Sequence, residues 1–161
     1  MAEFEPAVDF VLSHEGGYAC NEADPGGETN FGISKREFPS CDVKNLTVEM
    51  AREFYRTHYW DRGRFAEFRY QSVANKVFDL WINTGPSAAT KILQLACGDC
   101  RAPVTVDGVM GSVTLAMANG VSEFSLLNAL KNRAVSHYQR LVAEDQNLAE
   151  FLGGWIKRAN A

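Results

Sequence analysis

Apolar residues recur at helical spacing at the start of the chain and stop at a pair of glycines. Within residues 4–14 the apolar positions are Phe4, Ala7, Val8, Val11 and Leu12. They share one side of a predicted helix, and Gly16-Gly17 predicts its end because glycine readily adopts the left-handed conformation found there. Residues 18–33 are rich in turn formers and predict two short strands around Asp24-Pro25-Gly26-Gly27. No other stretch of the sequence is a convincing β-sheet candidate.

The most apolar helical pattern lies in the middle of the chain, in residues 70–84. Its apolar positions surround the helix almost completely and are Val73, Ala74, Val77, Phe78, Leu80, Trp81 and Ile82. A helix with this pattern is normally buried. Gly85-Pro86 predicts its end, and Ser87 is a candidate cap for a next helix through Leu95. Upstream, Thr47 is a candidate cap for a helix that reaches Trp60, whose ring we expect in the core.

The second half of the chain predicts further helices. A short one covers residues 112–118, a long one follows the candidate cap Ser122, and a last helical piece contains Trp155. The sequence therefore predicts a mainly α fold (α+β), with multiple helices around a central buried helix and one small β-hairpin or sheet near residues 17–33.

Composition places the chain among ordinary globular proteins. It has 161 residues, of which 46% are apolar and 22% charged, and this size suits one domain. The net charge is −4 and no basic cluster dominates, so nucleic-acid binding is not expected. Residues 1–6 show no features of a signal peptide, and no apolar run approaches the ~20 residues that span a bilayer. We therefore expect a cytoplasmic protein without membrane insertion.

Four cysteines raise the question of disulfides or a metal. They are Cys20, Cys41, Cys97 and Cys100. Cys97 and Cys100 have the spacing of a zinc knuckle, but the sequence has no second pair of this kind, so we expect no metal and no other cofactor. Free, partly buried thiols suit a cytoplasmic protein, with a Cys20–Cys41 disulfide after export as the alternative.

Three residues in and beside the glycine-rich loop form a candidate catalytic site: Glu15, Asp24 and Thr29. Glu15 closes an apolar helix, and a carboxyl group in partly apolar surroundings keeps its proton more readily, as a general acid requires. Asp24 lies in a polar loop where ionisation is easier, and Thr29 beyond it can hold a water. One protonated acid, one ionised acid and a positioned water form the site of an inverting glycosidase.

Each of these residues also has a purely structural interpretation. Glu15 can be an exposed residue at a helix end, Asp24 a cap of the Pro25-Gly26 turn, and Thr29 an ordinary strand residue. Glu22 and Glu28 lie in the same loop and compete with Asp24 for the role of second carboxylate.

Longer motifs follow one another in a fixed order along the chain. The first half contains Glu15-Gly16-Gly17-Tyr18, Asp24-Pro25-Gly26-Gly27-x-Thr29-Asn30-Phe31-Gly32-Ile33, Tyr55-Arg56-x-x-Tyr59-Trp60-Asp61 and Phe78-Asp79-x-x-x-Asn83-x-Gly85-Pro86. The second half contains Val106-Asp107-Gly108-Val109-Met110-Gly111 and Phe151-x-x-Gly154-Trp155-Ile156-x-Arg158. The first set closely resembles the signature of the glycoside hydrolase family 108 lysozymes, found in phage endolysins and related proteins. The second set resembles the predicted peptidoglycan-binding segment that accompanies this family.

The resemblance implies a single lysozyme-like domain over residues 1–161, with a glycoside hydrolase segment in 1–86 and a peptidoglycan-binding segment in 87–161 packed on it. It implies an endolysin muramidase that hydrolyses the β-1,4 bond between N-acetylmuramic acid and N-acetylglucosamine in bacterial peptidoglycan, for host lysis. The family's catalytic glutamate maps onto Glu15. The Glu-x8-Asp-x4-Thr pattern is similar to the catalytic layout of small phage lysozymes, which implies that Asp24 is the second acid and that Thr29 helps to place the water.

Further expectations concern binding and biology. Tyr18, Asn30 and Asn83 are the candidate substrate-binding residues, although Asn83 shares a helix face with Asp79 and can instead tie that helix to the active-site loop. We expect a monomer that binds peptidoglycan and leaves the host cytoplasm through a holin-type membrane lesion. Two alternatives remain: a lytic transglycosylase that uses Glu15 alone, and a peptidoglycan-binding module without activity.

Overall fold

A computed structural model gives the architecture of the protein and describes residues 1–20 and 27–161. Helices dominate it, and the α-helices are α1 (Phe4–Leu12), α2 (Val48–Tyr55), α3 (Gln71–Thr84), α4 (Pro86–Asp99), α5 (Ser112–Gly120), α6 (Glu123–Glu144) and α7 (Leu152–Asn160). Short 3-10 turns occur at Val43–Asn45, Phe65–Glu67 and Gln146–Phe151, and a π-helical turn at Arg56–Trp60 extends α2. The prediction of a mainly α fold with one small sheet is confirmed.

The central buried helix is α3. It packs against α1, α4 and α6, and α6 in turn packs against α7. Phe78 on α3 lies within 5.1–6.5 Å of the rings of Phe4, Tyr55, Trp60 and Phe65, so the core prediction for Trp60 is confirmed. This aromatic cluster packs α1 and the π-helical turn against one side of α3.

Side-chain caps begin two of the helices, as the sequence predicts. Thr47 Oγ1 accepts a hydrogen bond from Met50 N at 3.2 Å, and Ser122 Oγ accepts one from Ser125 N at 3.3 Å. The predicted cap Ser87 is wrong, because α4 begins one residue earlier, at Pro86. Proline suits the first position of a helix, since its fixed φ matches and its missing N–H has no intrahelical acceptor there. The helix also continues beyond Leu95 to Asp99.

The sheet has three antiparallel strands in the order β1 (Ala19–Cys20), β2 (Glu28–Asn30) and β3 (Ile33–Ser34). The sequence predicted two strands in this region, whereas the sheet has a third. A two-residue turn, Phe31-Gly32, joins β2 to β3, and both residues have positive φ, at 50° and 78°. Positive φ at both positions is typical of a type I′ hairpin, in which an asparagine or glycine is usual at the first.

The other expectations concern cysteines, metals and membranes. All four cysteines are free thiols in this structure. Within residues 1–20 and 27–161 there is no group of three or more His, Cys, Asp and Glu side chains placed to hold a metal ion. No helix in these same ranges is long and apolar enough to cross a membrane.

Candidate active site

Glu15 lies one turn beyond the end of α1, and its side chain contacts α7 and the β2–β3 turn. The backbone leaves the helix through turn hydrogen bonds from His14 N to Val11 O and from Glu15 N to Leu12 O. Gly16 and Gly17 follow it on the surface. The Glu15 side chain is nevertheless only 15% exposed, because α7 and the β2–β3 turn cover it.

An arginine from the far end of the chain binds the Glu15 carboxylate. Arg158 Nη2 lies 2.6 Å from Glu15 Oε1. The same guanidinium donates to Asp79 Oδ1 through Nη2 at 2.8 Å and through Nε at 3.0 Å. Asp79 on α3 is 1% exposed, so Arg158 joins a fully buried carboxylate to the half-buried Glu15. Burial lowers the pKa of Arg158, but the attraction of Asp79 and Glu15 outweighs it and the net shift is upward.

Two lysines hold the end of α7 that carries this arginine. Lys76 Nζ donates to the carbonyl oxygen of Arg158 at 2.6 Å, and Lys131 Nζ donates to that of Asn160 at 2.8 Å. Cations at a helix C-terminus satisfy its free carbonyl groups and oppose the helix dipole. Lys76 is 1% exposed, and burial lowers its pKa to about 8. The position of the guanidinium is thus fixed by contacts to both of its neighbouring helices, α3 and α6.

The β2–β3 turn closes the other side of Glu15. Gly32 has no side chain, and a Cβ atom at this position would lie 2.6 Å from both Cδ and Oε2 of Glu15 and 2.8 Å from the Tyr55 hydroxyl. That hydroxyl donates to Phe31 O at 2.7 Å, and burial raises the pKa of Tyr55. Arg158 therefore contacts the Oε1 side of Glu15, and the glycine backbone contacts the Oε2 side.

The other predicted catalytic residues divide between described and undescribed parts of the chain. Thr29 lies on β2, opposite Ala19 and Ser34, and is half-buried. It is on the opposite face of the strand from Glu28 and Asn30, since successive strand residues alternate in direction. Asp24 and its competitor Glu22 lie outside the described residues.

Glu28 and Tyr18, two further residues of the loop, bind each other. The Tyr18 hydroxyl donates to Glu28 Oε1 at 2.9 Å, and this hydrogen bond is the main cause that raises the pKa of Tyr18 to about 12. Tyr18 is 45% exposed. The aromatic ring is thus open to a ligand, while the Glu28 carboxylate already accepts a hydrogen bond from it.

The two predicted substrate-binding asparagines differ in their surroundings. Asn30 is 5% exposed, and its Nδ2 donates to Val43 O at 3.1 Å. This amide ties the sheet to the following segment in the interior, and substrate binding by Asn30 stays a prediction. Asn83 is exposed; its Nδ2 donates to Asp79 O at 2.7 Å and lies 3.3 Å from Asp79 Oδ1. It borders a cavity of about 370 Å³ with Tyr138 and Trp155.

Sequence reasoning did not assign a role to three of these groups: Arg158, Gly32 and Tyr55. It also predicted partly apolar surroundings for Glu15, whereas the structure places a guanidinium there. Arg158 occurs in the last of the motifs that resemble a known family, but no spacing rule connects it with Glu15.

The geometry suits proton transfer to a bound molecule. A half-buried carboxyl group is held on one oxygen by a fixed cation, and its surroundings bring together the sheet, α3 and α7. Such a carboxyl group can exchange a proton with an atom within hydrogen-bond reach, which is the requirement for general acid–base catalysis.

Comparisons with known proteins point to the same chemistry. Residues 8–85 match the family model "Glycosyl hydrolase 108", and residues 88–160 match the model "Predicted Peptidoglycan domain". Twelve chains of solved structures match significantly. One of them, the structure of Brucella abortus SagA, has 30% sequence identity and a TM-score of 0.78, over 98% of this chain and 89% of that one. No curated protein matches significantly. The chain therefore belongs to the glycosyl hydrolase 108 family and is a glycoside hydrolase that acts on peptidoglycan.

Proposed function

We propose that this protein is an endolysin muramidase, which hydrolyses the β-1,4 bond between N-acetylmuramic acid and N-acetylglucosamine with Glu15 as the general acid. The observation that carries the proposal is the fixed, half-buried Glu15 carboxyl group, bound by Arg158 at 2.6 Å. Membership of the glycosyl hydrolase 108 family supports the reaction class, and the match to a predicted peptidoglycan domain supports the polymer.

The two oxygens of Glu15 have different tasks in this reaction. Arg158 binds Oε1, so the transferable proton is carried on Oε2, beside Gly32. Glu15 gives this proton to the glycosidic oxygen as the bond breaks, and the guanidinium stabilises the carboxylate that results. The cation remains in place throughout because the buried Asp79 also binds it.

The water that attacks the sugar needs a second carboxylate. We assign this role to Asp24, with Thr29 as the residue that helps to place the water. The hydrogen bond between Tyr18 and Glu28 supports this choice over Glu28. Asp24→Ala should lose much of the lytic activity, and full retention of activity would move the role to Glu22 or Glu28. The second carboxylate is identified by comparing the lytic activities of Asp24→Ala, Glu22→Ala and Glu28→Ala under the same conditions.

The products of digestion test the reaction itself. Purified peptidoglycan is digested to completion, and the released fragments are analysed by mass spectrometry. A muramidase leaves reducing N-acetylmuramic acid ends, each with the mass of one added water. Fragments with 1,6-anhydro ends would instead show a lytic transglycosylase, in which Glu15 acts alone and the sugar's own hydroxyl attacks. If digestion produced no new glycan ends, the protein would instead be a peptidoglycan-binding module without activity.

The biological role we propose is host lysis by a phage. In it, the monomeric enzyme collects in the host cytoplasm and reaches the wall through a holin-type lesion. Its support is the resemblance of the motifs to those of phage endolysins. Expression in a bacterium with and without a holin tests it: culture turbidity should collapse only when both proteins are present. Lysis without a holin would contradict this route.

A further inference from the structure

A cavity with a basic lining lies between α4 and α6, and Glu15 is not part of its wall. Its volume is about 740 Å³. Aliphatic side chains form part of its wall: Ile92, Leu95 and Val106. The charged groups that line it are all cationic: Lys91, Arg133 and Arg140. The protein as a whole carries a net charge of −4, so any attraction of an anion to this cavity must be local.

The cations occupy matching faces of the two helices. On α4, Ser87 and Lys91 lie one turn apart, and on α6, Arg133, His137 and Arg140 follow one another along one face. Burial and the neighbouring Arg140 lower the pKa of His137, so its ring is neutral near pH 7. The two faces therefore present charge and hydrogen-bond donors to the same space.

Nearby carboxylates neutralise this charge incompletely. Arg133 donates to both oxygens of Asp99, at 2.5 and 2.6 Å. Arg140 Nη1 lies 3.6 Å from Glu144 Oε1, and both of these side chains are about 60% exposed, so their attraction is weak. No carboxylate in residues 1–20 or 27–161 pairs with Lys91.

The start of α4 adds backbone donors to the same cavity. Ser87 and Ala88 line it and belong to the first turn of the helix. Backbone N–H groups in a first turn have no intrahelical acceptor, and the helix dipole makes this end positive. A cationic side chain, Lys91, stands one turn further along. The start of α4, Lys91 and the two arginines of α6 thus line one cavity that also has an aliphatic wall.

A smaller cavity adjoins the basic cavity and extends to Asn83, which hydrogen-bonds to Asp79. It shares Thr84, Ala88 and His137 with the basic cavity and also borders Asn83 and Trp155. Asn83 binds Asp79, which binds the arginine of Glu15. Thr84 follows Asp79 on α3 by roughly 7–8 Å along the helix axis. A chain that leaves a sugar at Glu15 can reach the basic cavity within a few residues, since an extended peptide spans about 3.3 Å per residue.

We propose that the basic cavity between α4 and α6 binds a carboxylate of the stem peptide that N-acetylmuramic acid carries in peptidoglycan. This inference rests on the proposed function. Stem peptides combine short aliphatic side chains with free carboxylates, and the cavity combines an aliphatic wall with cations and free N–H groups. In peptide-bearing glycan the muramic carboxyl group is joined to the peptide as an amide, so the free carboxylates there belong to the peptide. The cavity therefore selects peptide-bearing glycan.

The test compares two substrates that differ only in charge. One is a soluble peptidoglycan chain with free peptide carboxylates, and the other is the same chain after conversion of these groups to neutral amides. Release of reducing ends gives kcat and KM for each. The wild type should show a KM about tenfold higher for the amidated chain, with kcat little changed, which is the size expected for one charge-assisted contact.

A matched pair of double variants completes the design. Lys91→Gln with Arg140→Gln removes two cations from the cavity, and Lys44→Gln with Arg62→Gln removes two exposed cations elsewhere. The cavity variant should have the raised KM on both substrates and no sensitivity to amidation, while the control variant should behave like the wild type. Urea unfolding of both variants shows that they are folded.

The possible failures are distinct from one another. If the cavity variant responds to amidation as the wild type does, or if amidation leaves the wild-type KM unchanged, the carboxylate site is wrong while the muramidase function stands. If the wild type releases no reducing ends from either chain, the proposed function itself is wrong.

Discussion

Replacement of Gly32 by alanine should separate the catalytic role of the β2–β3 turn from its role in stability. The added Cβ would lie 2.6 Å from Cδ and Oε2 of Glu15 and 2.8 Å from the Tyr55 hydroxyl. Carbon atoms in contact are normally about 3.5–4.0 Å apart, so the Glu15 carboxyl group must move by roughly 1 Å. The Tyr55 ring is buried and its hydroxyl binds Phe31 O, which leaves the Glu15 side chain as the group that moves.

The expected losses in stability and in activity differ in size. Gly32 has a φ of +78°, and an alanine with such a φ costs roughly 1–2 kcal/mol of stability. The contact with Glu15 adds little to this, because the end of a flexible side chain can shift. A displacement of about 1 Å at the reacting group, however, can lower the rate about 100-fold.

Gly27→Ala is the matched control. Gly27 also has a positive φ, +68°, but a Cβ at this position would meet no atom of residues 1–20 or 27–161 within 4 Å. Urea unfolding should show similar losses of stability for the two variants, and release of reducing ends from peptidoglycan should show a large loss only for Gly32→Ala. Equal activities in the two variants would refute the idea that the turn holds the Glu15 carboxyl group in place.

Two further predictions concern the groups around Arg158. Arg158→Gln should cost about 3 kcal/mol of stability in urea unfolding, because it leaves the buried Asp79 unpaired, and it should also lower activity. Adding Asp79→Asn should recover much of the stability but not the activity, since Glu15 still lacks its cation; recovery of both would mean that Arg158 is only structural. Lys76→Met should remove a pH dependence of the free energy of unfolding. The folded protein releases the Lys76 proton near pH 8 and the unfolded chain near pH 10.5. The unfolded chain therefore binds more protons between these values, and the stability of the wild type rises with pH there. The gain is at most about 1.4 kcal/mol per pH unit, and equal slopes in wild type and variant would contradict it.

Local sequence patterns predicted most of the helical fold. The apolar side of α1 and the nearly all-round apolar pattern of α3 each require burial, and Thr47 and Ser122 cap their helices through hydrogen bonds to nearby N–H groups. These features depend on residues only a few positions apart, so they can be read from the sequence. The β2–β3 turn could not, because phenylalanine with positive φ at Phe31 departs from the usual residues of such turns.

The surroundings of the candidate site could be predicted only in part for a related reason. Glu15 is a candidate because of its position at a helix end beside glycines, but its partner Arg158 lies 143 positions away. A contact over this distance depends on how α7 packs against α3 and α6, which no local pattern encodes. Asn30 is a second case: the sequence does not predict that its Nδ2 donates to Val43 O in the interior, because this contact depends on how the segment after the sheet packs on it.

The most direct test of the central claim is the activity of Glu15→Gln. Glutamine has the same shape and keeps an oxygen that can accept a hydrogen bond from Arg158, but it has no acidic proton to give. The release of reducing N-acetylmuramic acid ends from peptidoglycan should fall about 1000-fold or more, the size expected for loss of a general acid. Stability in urea should change by only about 1 kcal/mol, since Asp79 still binds Arg158. A folded Glu15→Gln protein that releases these ends at a rate within tenfold of the wild type would contradict the claim.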